Sequence, residues 1–368
     1  MDLLIAFAVV GILSYLGVGA MRRLAHAHDI LDIPNERSSH TTSVPRGGGV
    51  PIVLLTAAGS WLLLLINRVA APRALVVFTI GAMLIAVVSW LDDLYSISTA
   101  IRFLVHSLAA ALIIYEVGYL PLRNIMAGNL WAVESVAIAI TFIWLVGLTN
   151  AYNFMDGIDG IAGSQALIAG LGWAIFSFLN SQRIVASLGV LIAATALGFL
   201  VHNWPPAKIF MGDVASAFLG FTLAALPLIY NAQIDPANRA LRVPLFGLIV
   251  VWPFVFDATF TFFRRLFKGE RVFSAHRSHL YQRLNIAGRT HQFVTLLYSM
   301  LAAVGTVLAL MWIAEVRNAF ASLLIVVPLL SVGLLLFVMR EEHASRAGLR
   351  DNLPAARDRT QLAIDGEP

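Results

Sequence analysis

The chain contains 368 residues, of which 59% are hydrophobic, 12% are charged and none is cysteine. A soluble globular domain averages about 25% charged residues, so the composition excludes that class, and the abundance of apolar residues excludes a disordered chain. The lack of cysteine excludes disulfides, thiolate nucleophiles and zinc–cysteine sites. The net charge of +4 suits contact with anionic lipid or phosphate, but it is too small and dispersed to indicate nucleic acid.

Eleven apolar runs follow one another along the chain, each near the roughly 20 residues that a helix needs to cross a bilayer. They predict an all-α, polytopic integral membrane protein with about eleven transmembrane helices. The runs are 3–21, 50–66, 74–91, 101–119, 133–149, 161–179, 184–201, 214–230, 243–263, 293–314 and 319–339. The first run lacks the basic n-region and cleavage site of a signal peptide, so we expect it to stay as an anchor.

The distribution of basic residues indicates the orientation, because cytoplasmic connections carry an excess of Lys and Arg. With the N-terminus outside, 18 of the 25 basic residues fall in inner connections or in the tail, and the other seven fall outside. We therefore expect a periplasmic N-terminus and a cytoplasmic C-terminus in a bacterial inner membrane. One transmembrane domain is expected over 1–339, followed by a charged, partly disordered cytoplasmic tail over 340–368.

The first inner loop ends in Arg46 followed by three glycines, Gly47 to Gly49. Successive glycines allow backbone N–H groups to approach an anion closely, and the guanidinium would add positive charge. The alternative interpretation is a flexible hinge that leads into the second helix.

The second inner loop opens with Asp92 and Asp93, directly after an apolar run. Two adjacent carboxylates at a membrane edge are costly unless they are solvated, bound to a metal or paired with cations. Arg102 follows near the start of the next run, where it could hold a phosphate or neutralise one aspartate. A solvated helix end remains the alternative.

The third inner loop, 150–160, combines two amides, two carboxylates and two glycines within eleven residues. Oxygen ligands of this kind suit Mg²⁺, which binds one or two carboxylates together with substrate phosphates. The twelve-residue spacing and terminal Glu of an EF-hand are missing. The polar residues of interest are Asn150, Asn153, Asp156, Asp159 and Gly160.

The fourth inner loop ends at Asp213, which begins the eighth apolar helix. An aspartate in this position could cap the helix through its side chain. Alternatively, a helix N-terminus with a metal-bound aspartate would form a seat for a diphosphate.

The fifth inner loop, 264–292, is rich in arginine and histidine. Its cluster of His276, Arg277, His279 and Arg283 suits phosphate oxygens, which guanidinium groups bind bidentately. Positive-inside marking of the topology and contact with lipid headgroups are the alternatives. Asp257, within the ninth run, is a functional candidate, although we favour a simple ion pair with a neighbouring arginine.

Together the five loops resemble the polyprenyl-phosphate N-acetylhexosamine-1-phosphate transferases of glycosyltransferase family 4. The residues that carry the resemblance are the Asp92–Asp93 pair, the 150–160 loop, the Met211–Asp213 segment and the 276–283 run. The 32–40 and 276–283 runs are most similar to the branch that initiates O-antigen synthesis. One departure is Arg102, which stands where the family commonly has a lysine for the lipid phosphate.

The resemblance implies transfer of N-acetylhexosamine 1-phosphate from a UDP-N-acetylhexosamine to undecaprenyl phosphate, with release of UMP at the cytoplasmic face. The sugar expected from that branch is N-acetylfucosamine or N-acetylquinovosamine, for O-antigen and lipopolysaccharide assembly. UDP-N-acetylglucosamine for another envelope glycan is the alternative, and a membrane transporter is a remote one. A homodimer would fit the family.

The resemblance also implies a role for each polar residue. Mg²⁺, for which Mn²⁺ can substitute, would be held by Asn153 and Asp213. The acids that would act on the lipid phosphate or shape the nucleotide pocket are Asp92, Asp93, Asp156 and Asp159. The cations for the lipid phosphate would be Arg46 and Arg102. The groups for the diphosphate and sugar would be His276, Arg277, His279 and Arg283. The nucleotide would contact Asn150, Asp159 and Gly160.

Overall fold

The computed structural model describes residues 3–33, 43–67, 72–124, 126, 128–234, 241–272 and 276–351, with side chains up to residue 348. Within these ranges the chain is almost entirely helical. The helices are α1 Leu3–Ala27, α2 Val50–Ile66, α3 Arg73–Tyr95, α4 Thr99–Glu116, α5 Leu130–Phe154, α6 Ile161–Leu179, α7 Arg183–Asn203, α8 Asp213–Ala232, α9 Arg242–Val250, α10 Trp252–Phe267, α11 Leu280–Ile286, α12 His291–Ile313 and α13 Ala319–Asp351. Two short antiparallel strands, β1 Leu31–Asp32 and β2 Val44–Pro45, pair Leu31 with Pro45.

The all-helical, membrane-spanning architecture predicted from the sequence is confirmed, and ten of the eleven predicted runs each coincide with one helix. Nine helices of the described residues are long and apolar enough to cross a membrane. The ninth predicted run is broken into α9 and α10, which meet at 79° and would count as a tenth span if taken together. Pro253 explains the break, because it has no N–H to continue the hydrogen bonding of α9. The second run forms a helix of only 17 residues.

The centre of the bundle is α8, in which every residue from Val214 to Asn231 is buried. Helices α6 and α7 pack beside it with their backbones in close contact. A side chain at Gly170 would collide with the backbone of Gly189 and Ala193 on α7. Small residues allow such approaches between membrane helices. Large apolar side chains on α1, α4 and α13 remain exposed, so these helices form the outer surface.

Helix α13 continues to Asp351, inside the segment that the sequence predicts as a tail. Its end is held by two bidentate ion pairs. Arg283 contacts Glu342 with both distances at 2.7 Å, and Arg289 contacts Glu341 at 2.8 and 2.9 Å. Residues 352–368 lie outside the described part of the chain.

Candidate active site

The glycine run packs against the segment that precedes α8. The N–H groups of Gly48 and Gly49 donate to the carbonyls of Phe210 and Met211 at 2.8 and 2.9 Å. A side chain at Gly49 would collide with Ala215 and Met211, so the glycines are required for this contact. The prediction that these N–H groups face an anion is therefore wrong for Gly48 and Gly49, as is the alternative of a flexible hinge.

Asp93 holds the N-terminus of α8. Its two carboxylate oxygens accept the backbone N–H groups of Asp213 and Val214 at 3.0 and 3.1 Å. Gly212 precedes them with φ at 81°, in the left-handed region, and a side chain there would collide with the Asp93 carboxylate. Asp93 therefore supplies the cap that the sequence attributed to Asp213, and the Asp213 side chain faces the site instead.

Arg46 joins the first inner loop to this cap. Its guanidinium lies 3.4 Å from an Asp93 oxygen and 3.4 Å from an Asp32 oxygen. Burial lowers the pKa of Arg46, but the charges of Asp93 and Asp32 outweigh it and raise the pKa overall. Arg46 is thus engaged by two aspartates. The rest of the 32–40 motif, 34–40, lies outside the described residues.

Arg102 joins the second inner loop to α8. Its Nη1 lies 2.5 Å from an Asp92 oxygen and 3.1 Å from an Asp213 oxygen. Of the two roles expected for Arg102, the structure shows the pairing with aspartate, and with two aspartates instead of one; binding of a phosphate stays a prediction. A cation between two acids at the end of a helix is well placed to exchange one of them for a phosphate.

Asn153 completes this cluster from the end of α5. Its Nδ2 donates to the same Asp213 oxygen at 3.2 Å, and its Oδ1 accepts from the Ser216 hydroxyl at 2.5 Å. The sequence did not single out Ser216. Its position three residues after Asp213, and so on the same face of α8, was the available signal.

Asp156 lies beside the same cluster. Its carboxylate makes no hydrogen bond to the described residues, and its side chain is half-buried. Burial, together with the charges of Asp213 and Asp93, holds the pKa of Asp156 well above its usual range. With Asp92, four acids gather around two arginines, and their mutual repulsion favours the neutral form of Asp156.

Asp159 and Gly160 belong to a neighbouring set of contacts. The Asp159 carboxylate accepts the N–H of Ala207 at 3.0 Å and lies 3.3 Å from Nδ1 of His291. The N–H of Gly160 donates to the side chain of Asn203 at 2.8 Å. Within the described part of the chain, neither residue is hydrogen-bonded to the four-acid cluster. His291 and Asn203 were not predicted, since neither stands in a motif.

Asn150 lies within α5 rather than in the loop that follows it. Its Nδ2 donates to the Val146 carbonyl at 2.7 Å, and its side chain faces His106 on α4. Its neighbours thus differ from those of Asp159 and Gly160, its predicted companions in nucleotide binding.

Asp257 organises the histidine loop from inside the bundle. Its carboxylate accepts the N–H groups of Leu280 and Tyr281 at 2.8 and 3.1 Å. It also accepts from the Tyr298 hydroxyl at 2.6 Å and lies 3.2 Å from Nδ1 of His279. The expected ion pair between Asp257 and a neighbouring arginine is therefore wrong. A buried carboxylate needs several donors, and the start of α11 supplies them.

His276 lies near the open side of this loop, and the half-buried Arg277 follows it. Nδ1 of His276 is 2.9 Å from the Ser278 hydroxyl, and it also accepts the backbone N–H of Ser278 at 3.4 Å. Burial, and next the adjacent His279, lower the pKa of His276 to about 4. His276 is therefore neutral at neutral pH in this structure and would bind a diphosphate as a hydrogen-bonding group.

Arg283 requires a correction. Glu342 occupies the edge of its guanidinium formed by Nε and Nη2, with both distances at 2.7 Å, and the Arg283 side chain is 13% exposed. The Arg283 guanidinium thus holds α13 against α11, whereas the sequence predicted a contact with the diphosphate and sugar.

One contact brings the histidine loop to the aspartate cluster. The Tyr281 hydroxyl donates to the Phe154 carbonyl at 2.9 Å, at the end of α5 and next to Asn153. A side chain at Gly157 would collide with Tyr281, which explains the glycine. All five inner loops therefore meet at one end of the bundle, as predicted.

The donor set fits Mg²⁺ in part. Among the described residues, no three acidic or histidine side chains are placed to hold a metal by themselves. Asp213 and Asn153 nevertheless offer two adjacent oxygen-bearing groups beside further acids, and Mg²⁺ commonly takes its remaining ligands from water and substrate phosphates. Rotation of the Asn153 amide would turn its oxygen towards Asp213.

Comparison with known proteins identifies the family. Residues 75–231, which include Asp92 to Asp213, match the family described as glycosyl transferase family 4. A probable undecaprenyl-phosphate N-acetylglucosaminyl 1-phosphate transferase of Bacillus subtilis is 29% identical over 298 residues, or 79% of each chain. The decaprenyl-phosphate N-acetylglucosaminephosphotransferase of Mycobacterium tuberculosis is 31% identical over 312 residues, which cover 78% of this chain and 76% of that protein.

A more distant branch is represented as well. The phospho-N-acetylmuramoyl-pentapeptide-transferase of Staphylococcus carnosus is 28% identical over 252 residues, covering 63% of this chain and 76% of that protein. The region that matches the family, residues 75–231, contains the aspartates and the amide that converge on α8. On this agreement of sequence and site, the chain belongs to glycosyl transferase family 4.

Proposed function

We propose that this protein transfers an N-acetylhexosamine 1-phosphate from a UDP-sugar to undecaprenyl phosphate, with release of UMP. The observation that carries the proposal is the convergence of Asp92, Asp213 and Asn153 around Arg102 at the start of α8. Carboxylates, an amide and a guanidinium at a helix N-terminus suit a metal-bound diphosphate. The names of the Bacillus and Mycobacterium relatives support the same type of reaction.

The chemistry breaks a P–O bond and leaves the glycosidic bond intact. An oxygen of the lipid phosphate attacks the sugar-linked phosphorus, and the oxygen that bridges the two phosphorus atoms departs with UMP. Because phosphate monoesters have a second pKa near 6, the attacking group is largely dianionic at neutral pH. Catalysis then depends mainly on positioning and on neutralisation of charge.

The geometry distinguishes the two adjacent aspartates. Both Asp93 oxygens accept backbone N–H groups, and its side chain is only 1% exposed, so Asp93 positions α8. Asp92 is bound to Arg102 and is the better candidate to orient the lipid phosphate or accept a residual proton. As the phosphate binds, it would replace an aspartate on the guanidinium of Arg102.

The remaining groups have supporting roles. Asn153 and Asp213 would hold Mg²⁺, for which Mn²⁺ can substitute. The metal, when bound, would neutralise charge on the diphosphate. Asp156 lies beside this position, and His276, Arg277 and His279 would contact the diphosphate and sugar from the next loop. Asp159 and Gly160 would shape the nucleotide pocket.

The proposed location is the cytoplasmic face of the bacterial inner membrane. The excess of basic residues in the inner loops supports this orientation. An acceptor with a long apolar chain must be reached from the bilayer, whereas a UDP-sugar arrives from water. A site at one end of a membrane bundle serves both.

Three sugars are candidates. The 276–283 run is similar to enzymes that use N-acetylfucosamine or N-acetylquinovosamine in O-antigen synthesis, but Arg283 of that run is committed to Glu342. The names of the Bacillus and Mycobacterium relatives favour N-acetylglucosamine. Sugar-specific contacts therefore rest on His276, Arg277 and His279.

Purified protein with Mg²⁺, undecaprenyl phosphate and a panel of UDP-sugars tests the proposal. We expect UMP and a lipid diphosphosugar with one donor preferred over the others. Absence of UMP with every donor would overturn the transferase function. Single-turnover measurements without lipid acceptor test the order of steps, since UMP release equal to the enzyme concentration would indicate a covalent aspartyl-phosphate intermediate instead of direct attack.

A further inference from the structure

Two polar side chains on α4, Arg102 and His106, form a polar layer beside the aspartate cluster. His106 follows Arg102 by four residues on α4, so the two side chains share a face of the helix. His106 is 3% exposed, and apart from the Asn150 side chain that faces its ring, its ring nitrogens have no hydrogen-bond partner among the described residues. Nε of Arg102 is also buried and has no hydrogen-bond partner within the same part of the chain.

These groups lie between α4 and α5. The Asn150 side chain faces the imidazole and can pair with one of its ring nitrogens, which leaves the other available, while Asn150 Nδ2 also donates to the Val146 carbonyl. The other end of the Arg102 guanidinium is fixed by Asp92 and Asp213. Buried polar groups are nearly always hydrogen-bonded, so two incompletely satisfied groups on neighbouring turns, beside the aspartate cluster, are available to a bound partner.

The surroundings indicate the chemistry of that partner. An N–H of imidazole and the Nε–H of a guanidinium both donate, so the partner must offer acceptor oxygens, and a phosphate offers several. The adjacent α4 side chains Phe103, Leu104 and Leu108 are exposed apolar groups on a helix long and apolar enough to cross a membrane. An apolar chain attached to a phosphate bound here could therefore lie along these apolar side chains.

We propose that His106 is a further acceptor-binding residue, which donates together with Nε of Arg102 to the phosphate of the polyprenyl phosphate. The inference rests on the proposed transferase function. It places the acceptor phosphate on the membrane side of the diphosphate site, so that attack comes from within the bundle. It also makes His106 and Arg102, in place of Arg46, the principal ligands of this phosphate.

The test compares two substitutions of His106 in the purified full-length protein. His106→Leu should raise KM for undecaprenyl phosphate by roughly 10-fold or more, the effect of losing a hydrogen bond to a charged group. KM for the UDP-sugar should change by less than about 2-fold, since the proposed contact involves the acceptor alone. His106→Gln retains an N–H donor and should restore most of the affinity for the acceptor.

Asn231→Leu is the matched control. Asn231 is also buried with both side-chain polar atoms unpartnered in the described structure, but it lies at the opposite end of α8. Its replacement should leave both KM values unchanged. If His106→Leu does not fold, His106→Asn takes its place, because its shorter side chain withdraws the donor while remaining polar.

Binding measured without turnover provides the second readout. Undecaprenyl phosphate alone should raise the thermal unfolding temperature of the wild type and of His106→Gln, and much less that of His106→Leu. Unchanged acceptor affinity in His106→Leu would mean that water alone fills the layer, and an equal rise of both KM values would mean a structural role. Either result, or failure of His106→Gln to recover, overturns the inference while wild-type turnover keeps the proposed function intact. Lack of wild-type turnover overturns the proposed function itself.

Discussion

A carboxylate oxygen of Asp93 accepts the backbone N–H of Asp213 at 3.0 Å, so one acid fixes the helix on which the other is carried. This relationship joins the end of α3 to the start of α8. It releases the Asp213 side chain from capping, and that side chain then contacts Arg102 and Asn153. The aspartate pair thus combines a structural member, Asp93, with a member in the site, Asp92.

Substitution of the two aspartates should therefore have different consequences. Asp93→Ala should lower the free energy of unfolding by about 1–2 kcal/mol, the usual effect of losing an N-cap. It should also lower turnover by roughly 100-fold, because a displaced α8 misplaces Asp213. Asp92→Asn should lower turnover with a smaller change in thermal stability. Equal stability of the two variants, measured by thermal unfolding in detergent, would argue against the cap.

Asp213→Asn should abolish turnover if the carboxylate holds the metal. Removal of divalent ions with EDTA should do the same to the wild type, and Mg²⁺ should restore activity to the wild type alone. Ser216→Ala should lower turnover by about 10-fold, because the Ser216 hydroxyl, 2.5 Å from the Asn153 amide, can donate to the amide oxygen or accept from the amide nitrogen and so fixes the amide in either orientation.

Ser177→Ala is the matched control for Ser216→Ala. Ser177 is buried in α6, and its hydroxyl has no hydrogen-bond partner among the described residues.

Near-normal turnover of Asp213→Asn at saturating Mg²⁺ would remove Asp213 from the metal site.

The sequence predicted the helices well because long apolar runs have few alternatives in a membrane. It also predicted which loops meet, since the acids and amides stand at the ends of runs on one side. The division of labour among them was not predictable. Asp93 caps a helix 120 residues later in the chain, and Arg283 binds Glu342 on α13, so both assignments depend on tertiary contacts.

Two further differences have the same origin. The glycine run was interpreted from its local flexibility, whereas its N–H groups are used by Phe210 and Met211, which stand far along the chain. Asp257 was assigned to a neighbouring arginine by proximity in sequence, but the start of α11 offers two backbone donors. Hydrogen-bond partners of buried polar groups are chosen by the fold, and local spacing does not reveal them.

Arg283→Gln should destabilise the protein without a specific effect on the donor. Loss of the bidentate pair with Glu342 should lower the free energy of unfolding by about 1–3 kcal/mol. KM for the UDP-sugar should remain within about 2-fold of the wild type, because the guanidinium faces α13. Arg242→Gln, which breaks an exposed pair with Glu315, is the control and should have little effect on stability. A large rise of KM for the donor in Arg283→Gln would restore the role expected from the sequence.

His276 should make the stability of the protein depend on pH. Burial and the adjacent His279 lower the pKa of His276 from its ordinary value of 6.5 to about 4 in the folded state. Between these values the unfolded chain binds more protons than the folded one, so this contribution is complete above pH 6.5 and is lost as the pH falls towards 4. The thermal unfolding temperature of the wild type should therefore fall more between pH 7.5 and pH 5 than that of His276→Asn, in which this position cannot titrate. Parallel curves for the two proteins would mean that His276 is solvated as in the unfolded chain, and would remove the argument that it binds the diphosphate as a neutral group.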